Sequence, residues 1–523
     1  SARVTAMADA LLRRTSYAAF IQDDWKITTK LTLNIGVRYE NPRPWHDKYR
    51  GIMNVQLTNP GVGPNGILPN APPPILTRPG SGDFYQGLNF HFADGQLTQA
   101  GDQYMGRSLV NADNNNFAPR IGLAYSPPDR WTFRAGFGMF YVQDEGNAVF
   151  DMARNLAGRD LYIASIENRS GSLTAPWALE QASASCTGWS GPCLSKPQVL
   201  ANIQGMRTPY VDQWLFNIQR QLSENIVLEV GYQGNEGHKL ERFRLYNQPV
   251  VKSGPTDTRS VTQRTPWPQY GRIQEVDGGD NSNYHALSEK LTQRFSNGLT
   301  YLIAFTWSKA IDDGSALRTN SGDTLWPVNS YNLPAERGLS QFDLGRRFVA
   351  SYVYELPFGA GKPWVNQGIG SKLVGGWQLG GIVTFADGTP VNVTQLGDTA
   401  GLNTLGNQPD ATGISPVPAN RTAQKFWNIA AIDVTNPNLS YQPGNMGRNT
   451  LLSPGTASGD MSLARTIKIH ESHSLNVRFE AFNAFNHPNW VTPSADARNP
   501  ATFGVVTSAR AMRQLQFAIK YIF

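Results

Sequence analysis

Residues 31–40, LTLNIGVRYE, alternate between apolar side chains at odd positions and polar or small side chains at even positions. An alternation with a period of two places the two sets on opposite faces of a β-strand. Ten residues rise roughly 25 Å when a strand is tilted by about 40°, which is the height of the apolar band of a membrane-spanning barrel. The stretch therefore predicts a strand with one apolar and one polar face that is long enough to span such a band.

The same alternation recurs along the chain. It is clearest in residues 131–141, 226–233, 299–307 and 475–481, which carry aliphatic or aromatic residues at every second position. No segment sustains a helical period of 3.6 residues, so we expect few helices. The pattern predicts about thirteen strands, at residues 15–26, 30–41, 117–127, 130–143, 209–222, 225–235, 282–295, 299–310, 341–356, 375–386, 458–470, 473–486 and 511–523. Residues 238–246 either extend this set or add to it.

The spacing of the predicted strands decides between two all-β folds. One-sided alternation also describes a soluble β-sandwich. However, very short turns alternate here with long segments, about 75 residues over 41–115 and about 65 over 144–208, and such loops are uncommon in compact domains. Short periplasmic turns that alternate with long extracellular loops are typical of outer-membrane barrels. We therefore predict an all-β fold, an antiparallel transmembrane β-barrel.

The two faces of the predicted strands carry different residue types. Aromatic residues at the strand ends fit interfacial girdles: Trp25, Tyr39, Trp131, Tyr141, Trp307, Tyr354 and Trp377. The opposite, polar face carries the candidate lumen-facing residues: Arg38, Glu40, Arg134, Glu229, Arg478 and Glu480. In a sandwich these charges would face solvent, and in a barrel they form a polar lumen.

Composition excludes several other classes of protein. In 523 residues, aromatic residues make up 11% and the net charge is only +6, which does not fit a disordered chain. The longest apolar stretches, such as residues 301–307, are far shorter than the ~20 residues of a membrane-spanning helix. No block of lysines or arginines is present, so we expect no nucleic acid partner.

Two cysteines, Cys186 and Cys193, lie close together in a stretch rich in glycine, serine and proline. A disulfide that closes a short external loop is at least as plausible as two unrelated thiols. A metal pair is the least favoured reading, because no histidine or further cysteine lies near them in sequence.

The chain ends in an amphipathic strand with an aromatic residue at the terminus. The apolar positions of this predicted insertion signal are Leu515, Phe517, Ile519, Tyr521 and Phe523. This pattern is similar to the signal that outer-membrane barrels present to the barrel assembly machinery. The predicted partners are therefore this machinery and the outer-membrane lipid.

Several longer stretches resemble the Oar-like TonB-dependent transporters, outer-membrane receptors of Gram-negative bacteria. They are residues 17–40 (YAAFIQDDWKITTKLTLNIGVRYE), 115–125 (NNFAPRIGLAY), 213–222 (QWLFNIQRQL), 283–313 (NYHALSEKLTQRFSNGLTYLIAFTWSKAIDD), 347–359 (RFVASYVYELPFG) and 476–490 (NVRFEAFNAFNHPNW). The resemblance extends over residues 17–523, nearly the whole chain.

The resemblance implies a 22-stranded barrel that is plugged by an N-terminal domain and coupled to the TonB complex. About thirteen strands would then make residues 1–523 the C-terminal portion of such a barrel. The signal peptide, the regulatory-like domain, the plug and the early strands are expected to lie outside it. An odd strand number agrees with this, because single-chain bacterial barrels close with even numbers.

Three functions from different classes remain open at this point. The first is the barrel portion of a TonB-dependent transporter, which binds an unknown transported ligand through its extracellular loops and forms the translocation pore. The second is a passive porin or a surface adhesin barrel, and the third a secreted all-β carbohydrate-binding protein. No Walker A, H-E-x-x-H or G-x-S-x-G motif is present, so we expect neither an enzyme nor a cofactor or metal site.

The C-terminal signal gives a first testable prediction. A Phe523→Ser variant is expected to reach the periplasm normally but to insert poorly, because it lacks the terminal aromatic residue. Membrane fractionation measures this, with secretion across the inner membrane as the internal control. Normal insertion of the variant would contradict a role for Phe523 in assembly.

Overall fold

The computed structural model describes residues 2–5, 10–57, 72–88, 90–102, 106–142, 146, 151–155, 161–164, 178–179, 186–191, 193–194, 196, 198–315, 326–393, 395–404, 406–470 and 472–523. Within this part of the chain, thirteen strands pair with their neighbours in chain order and form one antiparallel sheet. They are β1 (Ser16–Lys26), β2 (Leu31–Pro42), β3 (Asn116–Tyr125), β4 (Trp131–Tyr141), β5 (Tyr210–Gln221), β6 (Ile226–Leu245), β7 (Ile273–Ser296), β8 (Leu299–Asp312), β9 (Arg346–Glu355), β10 (Trp377–Ala386), β11 (Thr456–His470), β12 (His473–Phe482) and β13 (Gln514–Ile522).

Each predicted strand corresponds to one strand of this sheet, and the all-β antiparallel prediction is confirmed. β6 continues to Leu245, so residues 238–245 extend the strand predicted over 225–235 instead of adding a strand, and β7 begins at Ile273, earlier than the predicted start at 282. Their pairing shifts register on both sides of Leu240. These extensions carry charged residues instead of alternating apolar ones, so the pattern that identified the other strands stops at 235.

The pairing register aligns apolar residues with apolar residues across the sheet. Ile121 of β3 lies opposite Ile35 of β2 on one side and Phe137 of β4 on the other, and Phe137 lies opposite Trp214. Directly paired residues share a face of an antiparallel sheet. The odd positions of β2 and β4 therefore belong to one continuous face, which we call the apolar face, and the even positions to the polar face.

The apolar face is left largely uncovered by other parts of the described chain, and the segments near residues 421–426 and 487–490 approach it only beside β8 to β11. On it Phe137 is 40% exposed and Trp307 62% exposed. The seven predicted girdle aromatics all lie on this face, near one or the other end of their strands. A few ionisable residues interrupt the face, among them Asp23, His285 and Glu289. The Tyr232 hydroxyl and His285 Nδ1 form a 2.8 Å hydrogen bond there.

The long segments between strands are not structureless. They form a loop layer at one end of the sheet that has its own buried cores. Trp267 is buried in the larger core, with Phe84, Phe90 and Ile273, and Trp427 is buried in the second. Both cores contain residues that are far apart in sequence, so the loops stabilise one another.

Short strands and turns build most of the loop layer. The short strands are Ala2–Thr5, Leu12–Arg13, His46–Asp47, Asn54–Gln56, Ile75–Arg78, His91–Phe92, Leu97–Ala100, Leu161–Ala164, Ala178–Leu179, Cys193–Leu194, Val199–Asn202, Gly338–Leu339, Pro390–Val391, Gln395–Leu396, Gly406–Asn407, Asp410–Ala411, Ile432–Asp433 and Leu451–Leu452. The 3₁₀ turns are Gly106–Ser108, Leu333–Glu336, Ile429–Ala431 and Pro437–Ser440.

Helices are few and short, as the sequence predicted. The two α-helices given bounds here are α1 (Val261–Arg264) and α2 (Gly368–Val374). No helix in the described ranges has the length and apolar character needed to cross a membrane.

The sheet is open in the described residues. Its path begins at β1 and ends at β13, and these two edge strands do not pair with each other there. β1 is exposed along its whole length. Both edges therefore present backbone groups that a neighbouring strand would satisfy.

The two faces predict opposite responses to the same new charge. Phe137→Arg places a cation among Ile121 and Trp214 on the apolar face and is expected to cost roughly 2–4 kcal/mol in a bilayer. Asn34→Arg is expected to be nearly neutral, because the Asn34 amide already donates to Asp24 at 2.5 Å on the polar face. Unfolding free energies in lipid vesicles measure both, and equal costs would contradict the assigned faces.

Candidate functional site

The register places all six predicted lumen residues on the polar face. Arg38 and Glu40 lie on β2, Arg134 on β4, Glu229 on β6, and Arg478 and Glu480 on β12. They share their face with the small residues opposite them, since Ala124 pairs with Arg134 and Ala518 with Arg478. The sheet thus brings residues from distant parts of the sequence onto one surface.

Polar contacts run along this surface from strand to strand. Arg38 Nε lies 2.5 Å from Glu40 Oε1, and Arg478 Nη1 lies 3.4 Å from Glu480 Oε1. Glu229 accepts hydrogen bonds from Lys290 at 3.3 Å and from Asn217 at 3.1 Å. Arg134 donates to Gln219 at 3.0 Å. Charges of both signs therefore compensate one another along this surface.

A groove of about 880 Å³ lies across β3 to β7, mainly on the polar face. Gly136 and Gly138 contribute no side chains to it, which opens the space above β4. Arg120 of β3 lines it, and the guanidinium carbon lies 4.6 Å from the centre of the Phe140 ring. Amide and phenol groups complete the lining, from Gln213, Gln233, Asn235 and Tyr284.

This groove presents a cation, several amides and aromatic faces to one space. Such a set binds polar or anionic ligands, because guanidinium groups form strong charge-assisted hydrogen bonds and rings stack against flat groups. Sequence reasoning did not select Arg120. Arg120 lies opposite Gly36, which is on the polar face. This pairing is the signal that could have identified Arg120 as a residue of the polar face.

A second cavity, of about 640 Å³, lies at the loop end of the sheet. Its lining combines Arg14, Arg43 and Arg207 with Asp113 and Glu241, next to the ring of Trp45. Arg207 Nη1 donates to Asp113 Oδ1 at 2.8 Å, and Arg14 lies 5.4 Å from the centre of the Trp45 ring. The cavity thus combines cationic, anionic and aromatic groups at the loop end of the sheet.

The extensions of β6 and β7 carry a buried ionic cluster. Arg242 contacts Asp277 at 2.7 Å and Asp280 at 2.8 Å, and Arg244 contacts Asp277 at 3.0 Å and also pairs with Glu275. All three carboxylate residues are buried. Burial raises the pKa of Glu275 to about 7 and that of Asp280 to about 7, and the neighbouring arginines only partly offset this effect.

The cysteine pair lies at the edge of the loop layer. Cys186 and Cys193 are joined by a disulfide, with Cα atoms 5.8 Å apart. Between them, the Trp189 ring stacks on His91 at 4.1 Å. The segment 177–189, which contains Trp177 and Trp189, lies partly outside the described residues, including Trp177. A second segment with two tryptophans, 364–377, lies at the short-turn end of the sheet between β9 and β10.

The remaining predicted residues are at the C-terminal edge. Leu515, Phe517, Ile519 and Tyr521 all lie on the apolar face, opposite Ala481, Phe479, Val477 and Leu475 respectively, and Phe523 follows the end of β13. His470 and His473 pair across a tight turn. Among the described residues, no three or more histidine, cysteine, aspartate or glutamate side chains are grouped to hold a metal ion.

Comparison with known families gives one extensive match. A family model described as outer membrane beta barrel domain matches residues 1–516. No curated protein sequence matches the chain.

Solved structures also match the fold, at low sequence identity. The outer membrane transporter YddB from Escherichia coli has 10% identity and a TM-score of 0.46, over 97% of this chain and 54% of YddB. The FrpB iron transporter from Neisseria meningitidis (F3-3 variant) has 12% identity and a TM-score of 0.41, over 98% and 47% of the two chains. The ferripyoverdine receptor of the outer membrane of Pseudomonas aeruginosa has 9% identity and a TM-score of 0.42, over 98% and 39%. The chain thus spans about half the length of these structures or less.

The raised carboxyl pKa values predict how the extension of β6 and β7 responds to pH. Glu275 and Asp280 bind protons more tightly in the folded chain than in the unfolded chain, where their pKa values are 4.5 and 3.8. The stabilisation of the folded extension by the protonated carboxyl groups is therefore complete below about pH 4, and it is lost as the pH rises toward about 7. We expect the opening equilibrium of this extension to increase roughly tenfold or more over that range.

Hydrogen exchange, corrected for the intrinsic rate at each pH, measures this opening. The double variant Glu275→Gln, Asp280→Asn is expected to remove most of the pH dependence. More frequent opening on acidification would contradict the assignment.

Proposed function

Because this chain belongs to the family of outer membrane β-barrel domains, we propose that it forms the pore and the ligand-binding surface of an outer-membrane transporter. The protein is located in the outer membrane. Its apolar face then contacts lipid, the loop layer faces the cell exterior, and the polar face lines the lumen. In this role it binds a polar ligand at the loop layer and conducts it along the polar wall.

The observation that carries the proposal is the position of the two cavities. The cavity around Arg207 lies at the loop end, and the groove around Arg120 lies deeper, on strands β3 to β7. Both present guanidinium groups next to aromatic rings. A ligand held first at the rim and then at the wall would meet similar chemistry at each stage, which is what stepwise transport needs.

The open edges support a larger barrel. We propose that residues 1–523 are the C-terminal portion of an Oar-like, 22-stranded TonB-dependent transporter, and that further strands pair with β1 and β13. A plug inside the completed barrel would cover the polar face and connect it to the TonB complex. The barrel assembly machinery would recognise the edge formed by β13. The exposed carbonyl and amide groups of β1 and the alternation of β13 support these assignments.

Two other functions fit the same barrel less well. A passive porin or a surface adhesin would need no plug and no TonB segment, and the DNA sequence upstream of Ser1 distinguishes these from a transporter. A secreted carbohydrate-binding protein would have to cover its apolar face with protein, whereas Phe137 of β4 and Trp307 of β8 are exposed on that face.

Uptake and binding by the full-length protein test the proposal. We would measure accumulation of ferric chelates, oligosaccharides and peptides in cells with and without an energised inner membrane, with a plug-deleted protein as control. Energy-dependent accumulation of one class supports the transporter. Equal entry with and without energy supports a porin instead.

Arg120 provides a specific test of the pathway. Arg120→Gln removes the cation from the groove and is expected to raise the half-saturating ligand concentration about tenfold, the effect of losing one charge-assisted hydrogen bond. Arg130→Gln is the matched control, because it removes the same charge at the short turn between β3 and β4, and Arg130 is not among the residues that line this groove. Equal effects of both variants would exclude the groove from the ligand path.

A further inference from the structure

A third cavity lies on the apolar face, outside the proposed ligand path. Its volume is about 1090 Å³, and it lies between β8–β11 and the segments around residues 421–426 and 487–490. Its lower wall is one register row of the sheet, in which Phe305, Phe348, Phe385 and Ala457 lie opposite one another in turn. Three rings and one small residue therefore form a shallow apolar trough that faces the lipid.

The upper wall of this cavity is cationic. Arg346 lies opposite Trp307, one of the girdle aromatics, so it is at the level of the lipid headgroups. Its guanidinium group binds Asp387, with distances of 2.9 and 3.1 Å. Arg421 and His487 also line the cavity.

Arg421 is positioned to bind a further anion. Its guanidinium carbon is 4.6 Å from the centre of the Phe426 ring, and this ring packs edge-on against Trp490. Among the described residues Arg421 forms no ion pair. Its five N–H donors remain available, while the ring beneath restricts the side chain to the cavity.

We propose that this cavity binds a phosphate-bearing lipid of the outer leaflet, with an acyl chain against the Phe305–Phe348–Phe385 row and the phosphate at Arg421. The arrangement of the two walls matches the orientation of a lipid in the bilayer, because the apolar row lies toward mid-membrane and the cations lie at the headgroup level. The cavity is continuous with the lipid-facing surface, so a lipid enters it from the bilayer without crossing water. The two arginines outnumber the single carboxylate of Asp387, which gives the site an excess of positive charge.

Native mass spectrometry of the full-length, detergent-purified protein tests this site. The probes are dioleoyl phosphatidylglycerol and dioleoyl phosphatidylcholine, which share their acyl chains and differ in net charge. The wild-type protein is expected to retain the anionic lipid more tightly. Arg421→Gln is expected to weaken binding of the anionic lipid about tenfold, the effect of one charge-assisted hydrogen bond. It is expected to weaken binding of the zwitterionic lipid by a smaller factor, because the choline cation of that lipid already offsets part of the charge on its phosphate.

Two further variants separate the acyl-chain site from the charge. Ala457→Phe fills the trough and is expected to weaken the binding of both lipids. Arg498→Gln removes a charge from a neighbouring loop, where Arg498 pairs with Asp496, and is expected to change the binding of neither lipid. Heat-dependent gel mobility verifies that each variant is folded. Unchanged retention of the anionic lipid by a folded Arg421→Gln protein would overturn the proposal. So would displacement of that lipid by an equal concentration of inorganic phosphate, which would show that the site binds the phosphate without the chain.

Discussion

One face of the sheet consists of aliphatic and aromatic side chains that the rest of the described chain leaves largely uncovered. The need to keep this apolar surface away from water determines the other features of the structure. Phe137 and Trp307 stay exposed there, whereas Trp267 and Trp427 are buried in the loop layer. Removal of apolar surface from water is the main favourable term in folding. In the outer membrane, lipid acyl chains remove the apolar surface of the sheet from water, and protein side chains do the same for the apolar surface of the loops.

The same chain therefore satisfies its polar groups in two ways. Within the bilayer every backbone group must pair with a neighbouring strand, which the unbroken ladder from β1 to β13 provides except at its two edges. Above it, buried side chains hold the loops together. Arg448 donates to the carbonyl oxygens of Asp312 at 2.7 Å and Glu336 at 2.8 Å, and to Ser315 Oγ at 3.1 Å.

The sequence predicted the strands well because alternation follows directly from the pleat of a strand, as in residues 31–40. The six lumen candidates lie together on the polar face for the same reason. Contacts between distant segments leave no such periodic signal. The ion pair of Arg242 with Asp277 and the burial of Trp267 beside Phe84 depend on how the loops meet. Arg120 was missed because its role depends on the glycines of the next strand, which only the register shows.

The central claim is that the apolar face of the sheet contacts lipid and the polar face contacts water. To test this, a single spin label is placed in turn at each of residues 131–141 of β4 in the full-length protein in lipid vesicles. Its accessibility is measured to oxygen, which concentrates in lipid, and to a polar nickel chelate, which stays in water. Contact with lipid predicts higher oxygen accessibility at Phe133, Phe137 and the other odd positions, with the opposite preference for the chelate at even positions. Uniform accessibility along β4, or protection of the odd positions from both reagents, would contradict a lipid-facing apolar face.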